Sequence, residues 1–66
     1  MRLTFLGKAT QGGGSPTLYA TDRDTYVVQG KLVTDPEAIA DLVDVRDDEY
    51  YVEIPKGLLR FAQDGE

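Results

Sequence analysis

The feature that most constrains this chain is the absence of both cysteine and histidine from its 66 residues. A domain of this length buries only about 60% of the surface that its unfolded chain exposes, so its core must be small. Domains of this size often add disulfides or a structural metal. Without Cys no disulfide can form, and a zinc site built from Cys or His is excluded as well. We therefore expect one domain over residues 1–66 that is held by packing or self-association, with no metal and no cofactor.

The same absence removes the side chains that most often serve as nucleophile and general base. Ser15, Thr17 and Thr21 carry hydroxyls, but the chain has no imidazole to activate them. The carboxylates form two groups, at residues 22–24 and 44–49, in predicted turns where water solvates them. Neither group has the spacing of a calcium-binding loop. We therefore predict that the protein is not an enzyme.

The charge balance excludes further classes of partner. Seven Lys and Arg residues stand against twelve Asp and Glu residues, a net charge of −5, and the cations are spread along the chain. Nucleic-acid phosphates and anionic membranes repel such a chain, whereas a basic protein partner is compatible with it. No apolar run approaches the roughly 18 residues that a membrane span needs. Since the lack of Cys also fits a reducing compartment, we predict a cytoplasmic protein without direct nucleic-acid or membrane binding.

Apolar residues in short β-forming runs predict four strands. These are Leu3–Leu6, Thr17–Thr21, Thr25–Val33 and Glu49–Ile54. The polar residues Asp22–Asp24 predict a hairpin turn between the second and third strands. Gly30, inside the third strand, predicts a bulge or the close approach of another backbone. A flexible Gly-rich loop at about residues 9–15 precedes the second strand.

A helix start follows the third strand. Asp35 can cap with Pro36 at the first helical position, or Thr34 and Glu37 can form a capping box. Apolar residues at helical spacing then predict a helix to about Val43. Because two turns would melt alone, we expect packing to hold this helix.

The last elements define the fold class. A short helix over Leu58–Ala62 is predicted to lie on the sheet, and the tail 63–66 is expected to fray. The fold class is therefore α+β: a small, mainly antiparallel sheet of about four strands in the order β-β-β-α-β-α, with one or two short helices.

Side-chain alternation divides the predicted sheet into two faces. The face expected to be covered holds Leu18, Ala20, Tyr26, Val28, Leu32, Tyr50, Val52 and Ile54. The opposite face holds Tyr19, Val27, Val33 and Tyr51. Tyrosines among Thr and Gln on an open sheet are typical of a protein-binding surface, because Tyr combines apolar area with a polar tip. Alternatively, the assignment of residues to the two faces is partly wrong, or cross-strand Tyr–Val pairs only stabilise an exposed sheet.

Five segments in this order resemble a group of small uncharacterised proteins from Streptomyces and related actinobacteria, often encoded beside helix-turn-helix regulators. They are LTFLGK (3–8), SPTLY (15–19), YVVQG (26–30), TDPEA (34–38) and VEIP (52–55). Ser15 and Lys31 stand where that group commonly has Cys and Trp. The resemblance implies an accessory or regulatory role in the cytoplasm and identifies no site.

Three hypotheses follow from the residues and this resemblance. The first is a small accessory protein that binds another protein, such as a transcriptional regulator, through the face that bears Tyr19, Val27, Val33 and Tyr51. The second is an obligate homodimer that uses the same face as its subunit interface. The third, less favoured, is a small-ligand binder or enzyme.

Overall fold

The computed structural model describes residues 1–10 and 14–62, and every structural statement concerns these ranges. Residues 11–13 of the predicted Gly-rich loop and the tail 63–66, which we expect to fray, lie outside the described residues. Both expectations therefore remain predictions.

The first half of the chain forms a three-stranded antiparallel sheet in the order β1-β2-β3. The strands are β1 (Leu3–Lys8), β2 (Thr17–Thr21) and β3 (Tyr26–Gln29). β2 and β3 are rich in aromatic and β-branched residues, which fit a pleated surface, and β1 contributes Thr4 and Phe5. A register shift between Phe5 and Gly7 places a β-bulge in β1. Since β2 is central, the apolar strand β1 forms an edge of the sheet.

The predicted hairpin turn at residues 22–24 is confirmed. The backbone N–H of Thr21 donates to the carbonyl of Thr25 at 2.9 Å, and the two hydroxyl oxygens lie 2.7 Å apart. Asp24 adopts a left-handed backbone with φ of 61°. Asp tolerates this conformation better than most residues, so it fills the position that Gly would ordinarily occupy.

Gly30 divides the third predicted strand between two sheets. Beyond it, β4 (Lys31–Leu32) pairs antiparallel with β5 (Val52–Glu53) in a separate two-stranded sheet. A Cβ atom at Gly30 would lie 2.8 Å from Cγ2 of Ile54 and 3.0 Å from the carbonyl oxygen of Glu53. The predicted close approach of another backbone is thus confirmed, and it requires glycine at this position.

Two short helical elements complete the chain, α1 (Pro36–Ala40) and a 3₁₀ helix (Lys56–Phe61). The Asp35 carboxylate accepts a 2.9 Å hydrogen bond from the backbone N–H of Glu37, with Pro36 at the helix start, so Asp35 is the cap. The helix ends at Ala40 rather than near Val43, because the chain beyond it tightens into a turn. The α+β class is confirmed.

The core lies between the 3₁₀ helix and one face of the three-stranded sheet. Leu58 of that helix is fully buried and Leu18 of β2 is 3% exposed. Gly7 is the cross-strand partner of Leu18, and a Cβ atom at Gly7 would overlap the ring of Phe61. A side chain at position 7 would therefore push the 3₁₀ helix away from the sheet.

The predicted core is wrong for four residues. Leu18 is buried and Ala20, Val52 and Ile54 are half-buried, but the other four are exposed: Tyr26, Val28, Leu32 and Tyr50. The 3₁₀ helix packs on β1 and β2, so it leaves the β3 side of that face open. The break at Gly30 also removes β4 and β5 from the first sheet, so the expected single apolar face does not form.

Candidate protein-binding surface

An apolar surface lies on the three-stranded sheet opposite the 3₁₀ helix. Tyr19 is the cross-strand partner of both Phe5 and Val27, so the three side chains share one face. Leu3 stands two residues before Phe5 on the same strand and points the same way. We call the surface of Leu3, Phe5, Tyr19 and Val27 the tyrosine face.

The tyrosine face presents much of its apolar area to water. Phe5 is 60% exposed and Leu3 is 48% exposed, while Tyr19 and Val27 are half-buried. The rings of Phe5 and Tyr19 lie 6.5 Å apart between centroids and 76° between planes, an edge-to-face arrangement. Edge-to-face packing is a favoured geometry for two aromatic rings, so this contact defines the position of the Phe5 ring although the ring is exposed.

Hydrogen bonds hold the tip of Tyr19. Its hydroxyl donates to Oε1 of Gln29 at 3.0 Å. Nε2 of Gln29 donates to the carbonyl of Ser15 at 2.7 Å, and the Thr17 hydroxyl donates to the same oxygen at 2.9 Å. The network therefore holds the Tyr19 ring in one orientation.

The other two predicted surface residues lie elsewhere. The backbone N–H of Val33 donates to the carbonyl of Tyr51 at 3.1 Å, which extends the pairing of β4 with β5 by one residue. Both side chains are half-buried. The structure therefore brings Tyr19 together with Val27, and Val33 together with Tyr51, but the two pairs belong to different sheets.

The sequence did not identify Leu3 and Phe5 as parts of the tyrosine face, or Gln29 as the hydrogen-bond acceptor of Tyr19. The strand Leu3–Leu6 carries apolar residues on both of its faces, with Leu3 and Phe5 on one and Leu6 on the other. Alternation alone therefore could not show which face of the strand is covered. Gln29 carried a usable signal: it stands two residues after Val27, on the same side of the strand, and within reach of a neighbouring tyrosine tip.

The chain outside this surface offers little chemistry of other kinds. Over residues 1–10 and 14–62, no three His, Cys, Asp or Glu side chains are grouped so as to hold a metal ion. Within the same ranges no helix has the length and apolar character needed to cross a membrane.

Comparison with known proteins adds no assignment. The chain matches no protein-family model, no curated protein and no solved structure. The tyrosine face must therefore be interpreted from its own residues.

Proposed function

We propose that this chain is a small accessory or regulatory protein that acts by binding another protein through the tyrosine face. The observation that carries the proposal is the exposed Phe5 ring, held edge-on against a hydrogen-bonded Tyr19. Exposed aromatic residues on a defined backbone are the usual anchors of protein interfaces. A water-exposed apolar surface of this kind is otherwise a liability for a small domain.

The surface suits a protein better than a small ligand. Its four apolar residues stand side by side on three neighbouring strands, whereas ligand sites are concave and enclose most of the ligand. The Tyr19 hydroxyl is already bonded to Gln29, so the apolar part of the ring is what a partner would contact. No catalysis is proposed, because the chain supplies neither imidazole nor thiol.

The resemblance to proteins encoded beside helix-turn-helix regulators supports a regulatory role in the cytoplasm. The net charge of −5 argues against direct DNA contact, so the role we propose is exerted on a protein. The region that carries the tyrosine face is itself slightly basic: residues 1–30 hold three Lys or Arg and two Asp, a net charge of +1. The partner we propose is therefore an apolar surface with an acidic rim.

A homodimer through the same face is the alternative. The buried apolar side chains of the described residues are Pro16, Leu18 and Leu58, a small core even for a domain of this size. Burying the tyrosine face against a second copy would enlarge that core. Light scattering after size exclusion, at several concentrations up to the millimolar range, separates the two: a monomer throughout supports a different partner, and a dimer at every concentration supports self-association.

The direct test is a matched pair of variants at equal exposure. Phe5 is 60% exposed on the tyrosine face and Leu59 is 59% exposed on the 3₁₀ helix. A photo-crosslinking residue at each position is compared in cells. We expect a discrete crosslinked protein from position 5, lost on adding Tyr19→Ala, and none from position 59. Equal crosslinking from both positions, or from neither, would contradict the proposal.

A further inference from the structure

A second exposed surface lies far along the chain from the tyrosine face. Every residue from 34 to 50 is exposed, and we call this segment the acidic arm. It contains five large apolar residues: Ile39, Leu42, Val43, Val45 and Tyr50. Val43 is 82% exposed and Tyr50 is 84% exposed, which are among the highest values of any large apolar side chain described. Val43 and Tyr50 therefore contribute little packing to the fold of the chain.

Hydrogen bonds define the backbone of the acidic arm. At its base, the Val33 N–H donates to the Tyr51 carbonyl at 3.1 Å. Asp35 caps α1 at the start of the arm. Near the end, the Arg46 N–H donates to the Glu49 carboxylate at 3.0 Å, and the Glu49 N–H donates to the Arg46 carbonyl at 3.0 Å. The exposed apolar groups are therefore presented by a locally bonded backbone.

The apolar residues of the arm are at most partly covered within the chain. Helix α1 buries none of its residues, although Ile39 lies three residues before Leu42 at helical spacing. A run in which five large apolar side chains within twelve residues stay at least 38% exposed is expected to meet another molecule, because a large exposed apolar area is disfavoured in a soluble monomer.

The net charge of the acidic arm indicates what kind of molecule would bind to it. Seven carboxylates and one guanidinium give residues 34–50 a net charge of −6, against +1 for residues 1–30. The carboxylates are Asp35, Glu37, Asp41, Asp44, Asp47, Asp48 and Glu49. They alternate with the apolar residues along the arm, so a partner must supply cations and apolar groups together. The same charge repels nucleic acid, an anionic membrane and the arm of a second copy.

We propose that the acidic arm is a docking surface for a cationic amphipathic segment of a partner protein. The apolar residues of that segment would cover Val43 and Tyr50, and its Lys or Arg residues would face the surrounding carboxylates. This surface is separate from the tyrosine face, and its proposal does not depend on that one. A chain with both surfaces could hold two different proteins together.

The test uses the full chain, labelled for NMR, and three synthetic peptides. The first is a helical peptide of Lys and Leu with Leu at helical spacing, the second is its scrambled form, and the third replaces Lys by Glu. We expect the first peptide to shift the resonances of residues 36–50 and to leave those of Phe5 and Tyr19 in place. Its binding should weaken steeply with added salt, because exposed charges are screened.

Two matched pairs of variants test the residues. Asp44 and Asp24 both have a positive φ, 56° and 61°, which Asn tolerates as Asp does. Asp44→Asn should weaken peptide binding about two- to fivefold, as loss of an exposed ion pair does, while Asp24→Asn should leave it unchanged. Val43→Ser should weaken it more than Asp44→Asn, and Leu59→Ser should not weaken it.

Three results would overturn the proposal. Equal binding of the scrambled peptide would show that charge alone acts. Equal weakening by Asp24→Asn and Asp44→Asn would show that the net charge of the chain, and not the arm, is responsible. Self-association of the free chain that Val43→Ser abolishes would show that a second copy covers the arm.

Discussion

The sheet region with its 3₁₀ helix and the acidic arm both contain large apolar residues, but only the first buries any of them completely. In the first, Leu18 and Leu58 are removed from water and the Phe61 ring covers Gly7. In the second, Val43 and Tyr50 stay more than 80% exposed. Apolar content is therefore a poor guide to the core of this chain. What separates the regions is whether another element lies over them: the 3₁₀ helix packs on β1 and β2, whereas α1 buries none of its residues.

The largest effect is expected from the fully buried residue of the 3₁₀ helix. Leu58→Ala should cost about 2–5 kcal/mol of unfolding free energy, because it leaves a cavity at the centre of the core. The measurement is urea unfolding followed by circular dichroism. Its neighbour Leu59, at 59% exposure, is the control, and Leu59→Ala should cost less than about 1 kcal/mol. Similar losses at the two positions would mean that the 3₁₀ helix does not pack as described.

The next largest effect on stability is expected from substitutions at two glycines. Gly7→Ala should cost about 1–3 kcal/mol, since the added methyl group would overlap Phe61 and force the helix outward. Gly57 has nothing within 4 Å of an added Cβ atom, so Gly57→Ala should be neutral or stabilising by about 0.4–1 kcal/mol. Thermal unfolding of both variants gives the comparison. A harmless Gly7→Ala would contradict the contact with Phe61.

A smaller loss is expected from the network under the tyrosine face. Gln29→Ala removes the acceptor of the Tyr19 hydroxyl and a donor to Ser15, and should cost about 0.5–1.5 kcal/mol. Because the two side chains interact directly, Tyr19→Phe should cost less in the Gln29→Ala background than in the original chain. Additive losses in urea unfolding would argue that this hydrogen bond does not stabilise the fold.

The smallest global effect is expected in the arm. Asp35→Ala removes a helix cap, which typically costs about 1 kcal/mol of helix stability. Since α1 buries no residue, this loss should remain local and lower the global unfolding free energy by less than about 0.5 kcal/mol. Faster amide exchange at Ile39 and Leu42, with an unchanged urea midpoint, is the expected pattern. A loss of a full kcal/mol in the urea experiment would show that α1 unfolds together with the core.

Local features were the most predictable from the sequence. The hairpin turn, the Asp35 cap and the close approach at Gly30 each depend on a few neighbouring residues, and each is confirmed. The pairing of Tyr19 with Val27 on one face follows from alternation along two strands joined by that turn. These predictions needed no knowledge of how distant segments meet.

Burial and the full extent of the site could not be predicted in the same way. Alternation assigns Val28 to the face of Leu18, but its burial depends on where a 3₁₀ helix thirty residues later comes to lie. The position of Phe5 on the tyrosine face depends on the register of β1 with β2, which alternation within β1 does not determine. Helical spacing looks the same whether the apolar side of a helix is covered or open, so the spacing of Ile39 and Leu42 could not show that α1 has no buried residue.

Native-state hydrogen exchange of the free chain tests the division into a packed sheet and an unpacked arm most directly. We expect the slowest amides of β2, at Leu18–Ala20, to exchange only through global unfolding, and those of residues 38–42 to exchange through local opening at much lower free energy. Equal protection in the two regions would contradict it, because the arm would then be part of the same cooperative core.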